Sequence, residues 1–148
     1  MLTLLKNATV YSPEPVGHQD LLLAGGRMVQ VAPKIELTAT GCQVSEFDLD
    51  GAIVTPGLID QHVHLLGGGG EGGPATMTPE ANLSDLTTAG VTTVIGCLGT
   101  DGIARHVDSL LAKARALIQE GVSAFILTGA YQVPPPTITG KIMSDIML

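Results

Sequence analysis

Along residues 1–50 the apolar positions fall in short or alternating runs, LTLLKNATVY, DLLLAGGRMVQVAP and QVSEFDLDG, separated by turn residues. Alternation of period two predicts half-buried strands, and no helical period is present. Gly25-Gly26, set between LLLA and RMVQVA, predicts a hairpin turn. From Gly51 the pattern changes. AIVTPGLIDQHVHL reads as a strand interrupted by Pro56-Gly57. TPEANLSDLTTAG predicts a helix with Thr78 as cap, Pro79 in the first helical position, Glu80 near the positive end of the dipole and Gly90 as the stop.

VTTVIGCL is almost continuously apolar, as a parallel strand covered on both faces should be. Ile103, Val107, Leu110, Leu111, Ala114, Leu117 and Ile118 then repeat at helical spacing, and Gly121 ends the run. VSAFILTGAY reads as another buried strand. QVPPPTITGKIMSDIML reads as a proline-stiffened loop leading toward a further helix. Residues 51–131 thus alternate β-α-β-α-β, the signature of an α/β fold. The expected domains are 1–50, part of a small β-rich domain, and 51–148, the first part of a larger α/β domain. A (β/α)8 barrel takes about 250 residues, so a barrel begun at Gly51 is expected to be incomplete within this chain.

Composition narrows the function classes. Hydrophobic residues make up 45% of the chain and aromatics 3%, with 19 glycines, which suits packed aliphatic strands joined by glycine-rich loops. The net charge of −7 offers no electrostatic footprint for nucleic acid or an anionic membrane. No apolar run reaches the ~20 residues of a membrane helix, and MLTLLKNATVYSPEP lacks the basic head and long apolar core of a secretory signal. A cytoplasmic protein is expected. Cys42 and Cys97 make at most one bridge, and both read as reduced, buried thiols.

The chemistry gathers at strand ends. In a strand alternate residues share a face, so Asp60, His62 and His64 are expected to point the same way. Two imidazoles two residues apart, about 6.6 Å along a strand, can converge on one metal. Asp60 is placed to orient a ligand from behind. A bare His-x-His is also what a polar strand end looks like. The apolar lead-in and the glycine loop that follows favour the metal.

Gly67 to Gly70 let a backbone approach a ligand closely, and Glu71 is the one acid of that loop, able to bind an ammonium. The loop reads equally as a solvated connection with an incidental charge. Thr100 and Asp101 end the second strand, as a rim pair or as a turn residue and a helix cap. Tyr131 ends the third, and its hydroxyl either polarises a carbonyl or simply packs at the rim. His18, His106 and Lys141 carry no such signal.

At Asp60-Gln61-His62-Val63-His64 the sequence resembles the amidohydrolase superfamily, whose first barrel strand ends in a His-x-His metal pair. Gly51 to Asp60 resembles that superfamily's lead-in from a small β-sandwich domain. HVHLLGGGGEGGP, GVTTVIGCLGTDGI, RHVDSLLAKARAL and ILTGAYQVPPPTITG together resemble the isoaspartyl (β-aspartyl) dipeptidases. The resemblance implies a small β-sandwich segment followed by the first three βα units of a TIM (β/α)8 barrel. It also implies a two-zinc hydrolase of β-aspartyl dipeptides that forms homo-oligomers when full length.

In that family's terms His62 and His64 would bind one Zn2+. Gly69, Gly70, Glu71 and Thr100 would hold the ends of the substrate, and Tyr131 would assist at the scissile carbonyl. The family's remaining metal ligands, its acid/base aspartate and its substrate-binding arginines have no counterpart among these residues. The 148-residue chain alone is therefore expected to be inactive. A non-catalytic product or remnant that needs a partner chain is one alternative. A cyclic amidase of the hydantoinase or dihydroorotase type is another, although such a substrate has no ammonium for Glu71.

Overall fold

A computed structural model describes residues 1–38 and 41–148. The chain is α/β with mixed sheets, and it divides into two compact units, Met1–Pro56 and Gly57–Leu148.

The first unit is a five-stranded sheet formed by β1 (Leu2–Tyr11), β2 (Pro15–Ala24), β3 (Arg27–Ala32), β4 (Val44–Asp48) and β5 (Ile53–Val54). β1 lies in the middle, antiparallel to β2 and parallel to β4 and β5, and β3 pairs with β2. The hairpin expected at Gly25-Gly26 is present, with φ of 56° and 74°, the positive pair that a two-residue turn of matching twist requires. Between Leu5 and Ala8 the β1 register slips by one residue against β2, at Asn7, whose φ is 58°. The extra residue swaps faces. Leu4 packs with Leu22 and Ile35, whereas Ala8 and Val10 join Leu5 and Leu21 in a separate cluster. Asp20 anchors the bulge, its carboxylate accepting the N–H groups of Asn7 (3.0 Å) and Ile35 (2.9 Å), which hold its pKa below the ordinary range.

The second unit has a parallel three-stranded sheet in the order β6 (Leu58–Val63), β7 (Val91–Gly96), β8 (Ser123–Ile126). Helix α1 (Leu83–Thr88) connects β6 to β7, α2 (Val107–Gln119) connects β7 to β8, and a short α3 (Ile142–Asp145) follows. Leu65, Leu86, Val94, Leu98, Leu110, Ala114, Leu117 and Ala124 form the core between sheet and helices. Ile59 and Phe125 remain exposed.

Two helix boundaries differ from expectation. The first helix starts at Leu83, capped by Asn82 in a reciprocal box with Asp85, so Thr78 and Pro79 lie outside it. Thr78 is occupied elsewhere, exchanging hydrogen bonds with Gly68. The second starts at Val107, because Asp101 captures the N–H groups of Ile103 (3.0 Å) and Ala104 (2.8 Å) in a turn and leaves Ile103 exposed. Ile118, counted on the apolar face, is also exposed. Cys97 is buried as expected, but Cys42 is exposed, in the connection between β3 and β4.

Candidate metal and ligand site

The residues singled out in the second unit lie in the C-terminal half of β6 or beyond the C-terminal ends of the strands. His62 is the penultimate residue of β6 and His64 follows that strand directly. Their ring centroids are 5.4 Å apart. Asp60 is not among the side chains whose ligand atoms lie within 4.8 Å of one another, and the register slips between Asp60 and Val63. The Asp60 carboxylate accepts the backbone N–H of His62 (3.1 Å), which stabilises the bulge rather than an imidazole.

The parallel pairing of Val63 with Gly96 sets His64 beside Cys97, whose backbone N–H donates to the Val63 carbonyl (3.0 Å). His62, His64 and Cys97 bring three ligand atoms within 4.8 Å of one another. Two glycines make this possible. A Cβ on Gly99 would lie 2.1 Å from His64 Cε1, and one on Gly68 would lie 3.3 Å from the same ring. His64 Nδ1 is buried and has no hydrogen-bond partner among the described residues. Such an orphan costs ~1–3 kcal/mol, and a donor set of two imidazoles and a sulfur is of the kind that borderline-soft divalent metals take. The residues present fit a metal. Burial pushes the Cys97 thiol above its ordinary pKa.

Glu71 and Thr100, which come from different loops, meet: the Thr100 hydroxyl donates to Glu71 Oε1 at 2.7 Å. That hydroxyl above all, then the residue's own N–H and the nearby charges of His64 and Arg105, hold the exposed Glu71 carboxyl below its ordinary pKa. Gly69 and Gly70, with φ of 73° and 104°, have N–H groups without an intramolecular partner among the described residues. Close approach in this loop is first of all to its own chain. A Cβ on Gly67 would lie 2.1 Å from the Thr78 carbonyl, and one on Gly69 2.4 Å from that of Thr76. Tyr131 is 75% exposed and lines, with His62, Cys97 and Gly129, an open pocket of about 240 Å³.

Arg105 was not singled out by the sequence pattern. It is buried, and its guanidinium donates to the carbonyls of Leu66 (3.0 Å), Gly68 (3.3 Å) and Thr78 (3.2 Å), with Asp101 3.5 Å away. Together with the direct Gly68–Thr78 hydrogen bonds, it holds the glycine loop against the segment at Thr78. The only hint in the sequence is an aspartate four residues earlier.

No protein-family model matches the chain. A β-aspartyl dipeptidase from the thermophilic, keratin-degrading Fervidobacterium islandicum AW-1, solved in complex with a β-Asp-Leu dipeptide, is 48% identical with a TM-score of 0.91, over 99% of this chain and 38% of its own. An imidazolonepropionase from Paracoccus denitrificans is 32% identical over 118 residues, 75% of this chain and 28% of its own. A dihydroorotase from Streptococcus pyogenes serotype M3 is 33% identical over 97% of this chain and 32% of its own. These relatives define the class first: all are of the amidohydrolase superfamily, and the chain resembles the N-terminal part of such proteins. Within that class the resemblance is to the β-aspartyl dipeptidases, which are hydrolases. The chain spans about a third of the length of the curated relatives it matches. Among the described residues no helix is long and apolar enough to cross a membrane.

Proposed function

We propose that this chain is part of a zinc-dependent hydrolase of β-aspartyl dipeptides. The observation that carries the reading is the 48% identity, over 99% of the chain, to a β-aspartyl dipeptidase solved with β-Asp-Leu. The local chemistry supports it. His62 and His64 would hold a zinc ion. When bound, zinc would supply Lewis acidity to the scissile carbonyl and acidify the attacking water. The remaining contributions come from the chain itself. Glu71, kept ionised, would pair with the free α-ammonium of the substrate, with Thr100 fixing its carboxylate. The N–H groups of Gly69 and Gly70 would receive the substrate's carboxylate. Tyr131, on the pocket wall with His62, would donate its hydroxyl to the oxygen that gains charge. Asp60 would act by fixing the backbone of His62.

The same reading takes residues 1–50 as part of a β-sandwich domain and residues 51–148 as the opening βα units of a (β/α)8 barrel. It makes the whole protein a cytoplasmic homo-oligomer with two zinc ions per site. The 148 residues alone would then be inactive. The test is hydrolysis of β-Asp-Leu, α-Asp-Leu and dihydroorotate by the natural polypeptide that carries this sequence. Turnover of the β-linked dipeptide alone, lost with His62→Ala, is expected. Turnover of dihydroorotate alone would favour the cyclic-amidase reading, which the dihydroorotase relative keeps in view.

A further inference from the structure

We propose that Cys97 supplies a third donor to the metal held by His62 and His64, giving this chain a two-nitrogen, one-sulfur site of its own; the inference rests on the metal reading above.

Three observations carry it. The sulfur and one ring nitrogen from each histidine lie within 4.8 Å of one another. A tetrahedral metal with bonds of ~2.0–2.1 Å to nitrogen and ~2.3 Å to sulfur separates such donors by about 3.5 Å, so the donors draw closer as the site closes. Next, Cys97 is buried, yet it is not part of the apolar cluster that takes in its neighbours Val94 and Leu98. It lines the open pocket beside His62 instead. Finally, its thiol has a poor partner, the Val63 carbonyl at 3.7 Å from Sγ, and His64 Nδ1 has none among the described residues. The ordinary fate of a buried cysteine is to fill space in a core. Here the side chain, itself buried, also lines a pocket beside one imidazole, that of His62. On loading, the S–H proton passes to solvent as the sulfur–metal bond forms, and the fourth position stays open to water or substrate.

The probe is Co2+, titrated into the full 148-residue chain with Cys42→Ser as the control background. The expected result is intense visible bands of a tetrahedral ion together with a near-ultraviolet sulfur-to-cobalt charge-transfer band. Cys97→Ser should abolish the charge-transfer band and weaken Co2+ binding about tenfold, in line with the loss of a metal-site partner. Because Cys97→Ser could fail to fold, Zn2+ protection of the wild-type thiols against alkylation, read by peptide mass spectrometry, provides a second measurement. Cys97 should be protected, and exposed Cys42 should not. Co2+ binding that depends on His62 but shows neither the sulfur band nor protection of Cys97 would overturn this inference and leave the two-histidine reading standing. Absence of Co2+ binding to this chain would overturn this inference, and the hydrolysis assay with His62→Ala would decide the metal reading of the whole protein separately.

Discussion

Two loops at the same end of the parallel sheet are held in opposite ways. The loop after β6 is braced by a cation: Arg105 gathers the carbonyls of Leu66, Gly68 and Thr78. The segment after β8 is braced by an anion. Asp145 accepts the hydroxyls of Thr128 and Thr139 and the N–H groups of Ile138 and Thr139. A brace consumes groups of one polarity and leaves the other free. Arg105 takes acceptors, so the glycine loop keeps N–H donors at Gly69 and Gly70, and its positive charge helps keep Glu71 ionised. Asp145 takes donors, and Tyr131 stays unburied above the pocket. The first loop thus keeps N–H donors near an ionised carboxylate, and the second leaves the Tyr131 side chain exposed.

Breaking the cationic brace should have the largest effect. Arg105→Ala leaves three carbonyls without a charged donor and should cost about 3 kcal/mol, measured by urea unfolding, with new proteolysis between Gly67 and Thr78. Arg105→Lys should recover little, since one ammonium cannot span three acceptors. A loss below about 1 kcal/mol, the scale of an ordinary hydrogen bond, would mean that the loop holds itself. Gly67→Ala comes next, at about 2 kcal/mol. Its φ of 85° disfavours a side chain, and the new Cβ would lie 2.1 Å from the Thr78 carbonyl.

Asp145→Asn should cost less than either and act locally, with faster amide exchange at Ile138 and Thr139 and unchanged exchange in β6. The same brace should respond to acid. The hydroxyls of Thr128 and Thr139 first, with the backbone donors, hold the Asp145 pKa well below its ordinary value of 3.8. A depressed folded-state pKa contributes stability that is complete above the unfolded value and lost as pH falls through the folded one. Protection at Ile138 and Thr139 should therefore persist at neutral pH and disappear only well below pH 3.8. The carbonyl-to-arginine contacts should outlast it. Glu71→Gln should change stability least, because the carboxylate is exposed and its one side-chain partner is the Thr100 hydroxyl. If it destabilised the chain as much as Gly67→Ala, Glu71 would be part of the brace rather than free for a ligand.

What was legible in the sequence had short-range causes. The Gly25-Gly26 hairpin, the apolar strand at Val91–Gly96 and the body of the second helix, though not its start, are each written in a few adjacent residues. The start of the first helix was misread because Thr78-Pro79 and Asn82 are both good caps locally. The competition is decided by Gly68, which is distant in sequence and engages Thr78. The His62–His64 proximity was legible from spacing, but the bulge between Asp60 and Val63 was not, since a bulge follows from the pairing of two strands. The Glu71–Thr100 contact joins residues 29 apart, and the Arg105 contacts reach 39 residues back, so neither leaves a local pattern.

The order β6-β7-β8 in space is also the order of synthesis. Each strand of that sheet after β6, on leaving the ribosome, finds its neighbour already made, so the second unit can grow by accretion at one edge. The first unit keeps that schedule only through β1, β2 and β3. Its central β1 is made first, yet it pairs with β4 and β5 some 40 residues later. During translation β1 must wait, and it is the segment a chaperone would meet with its long-range partners still unmade.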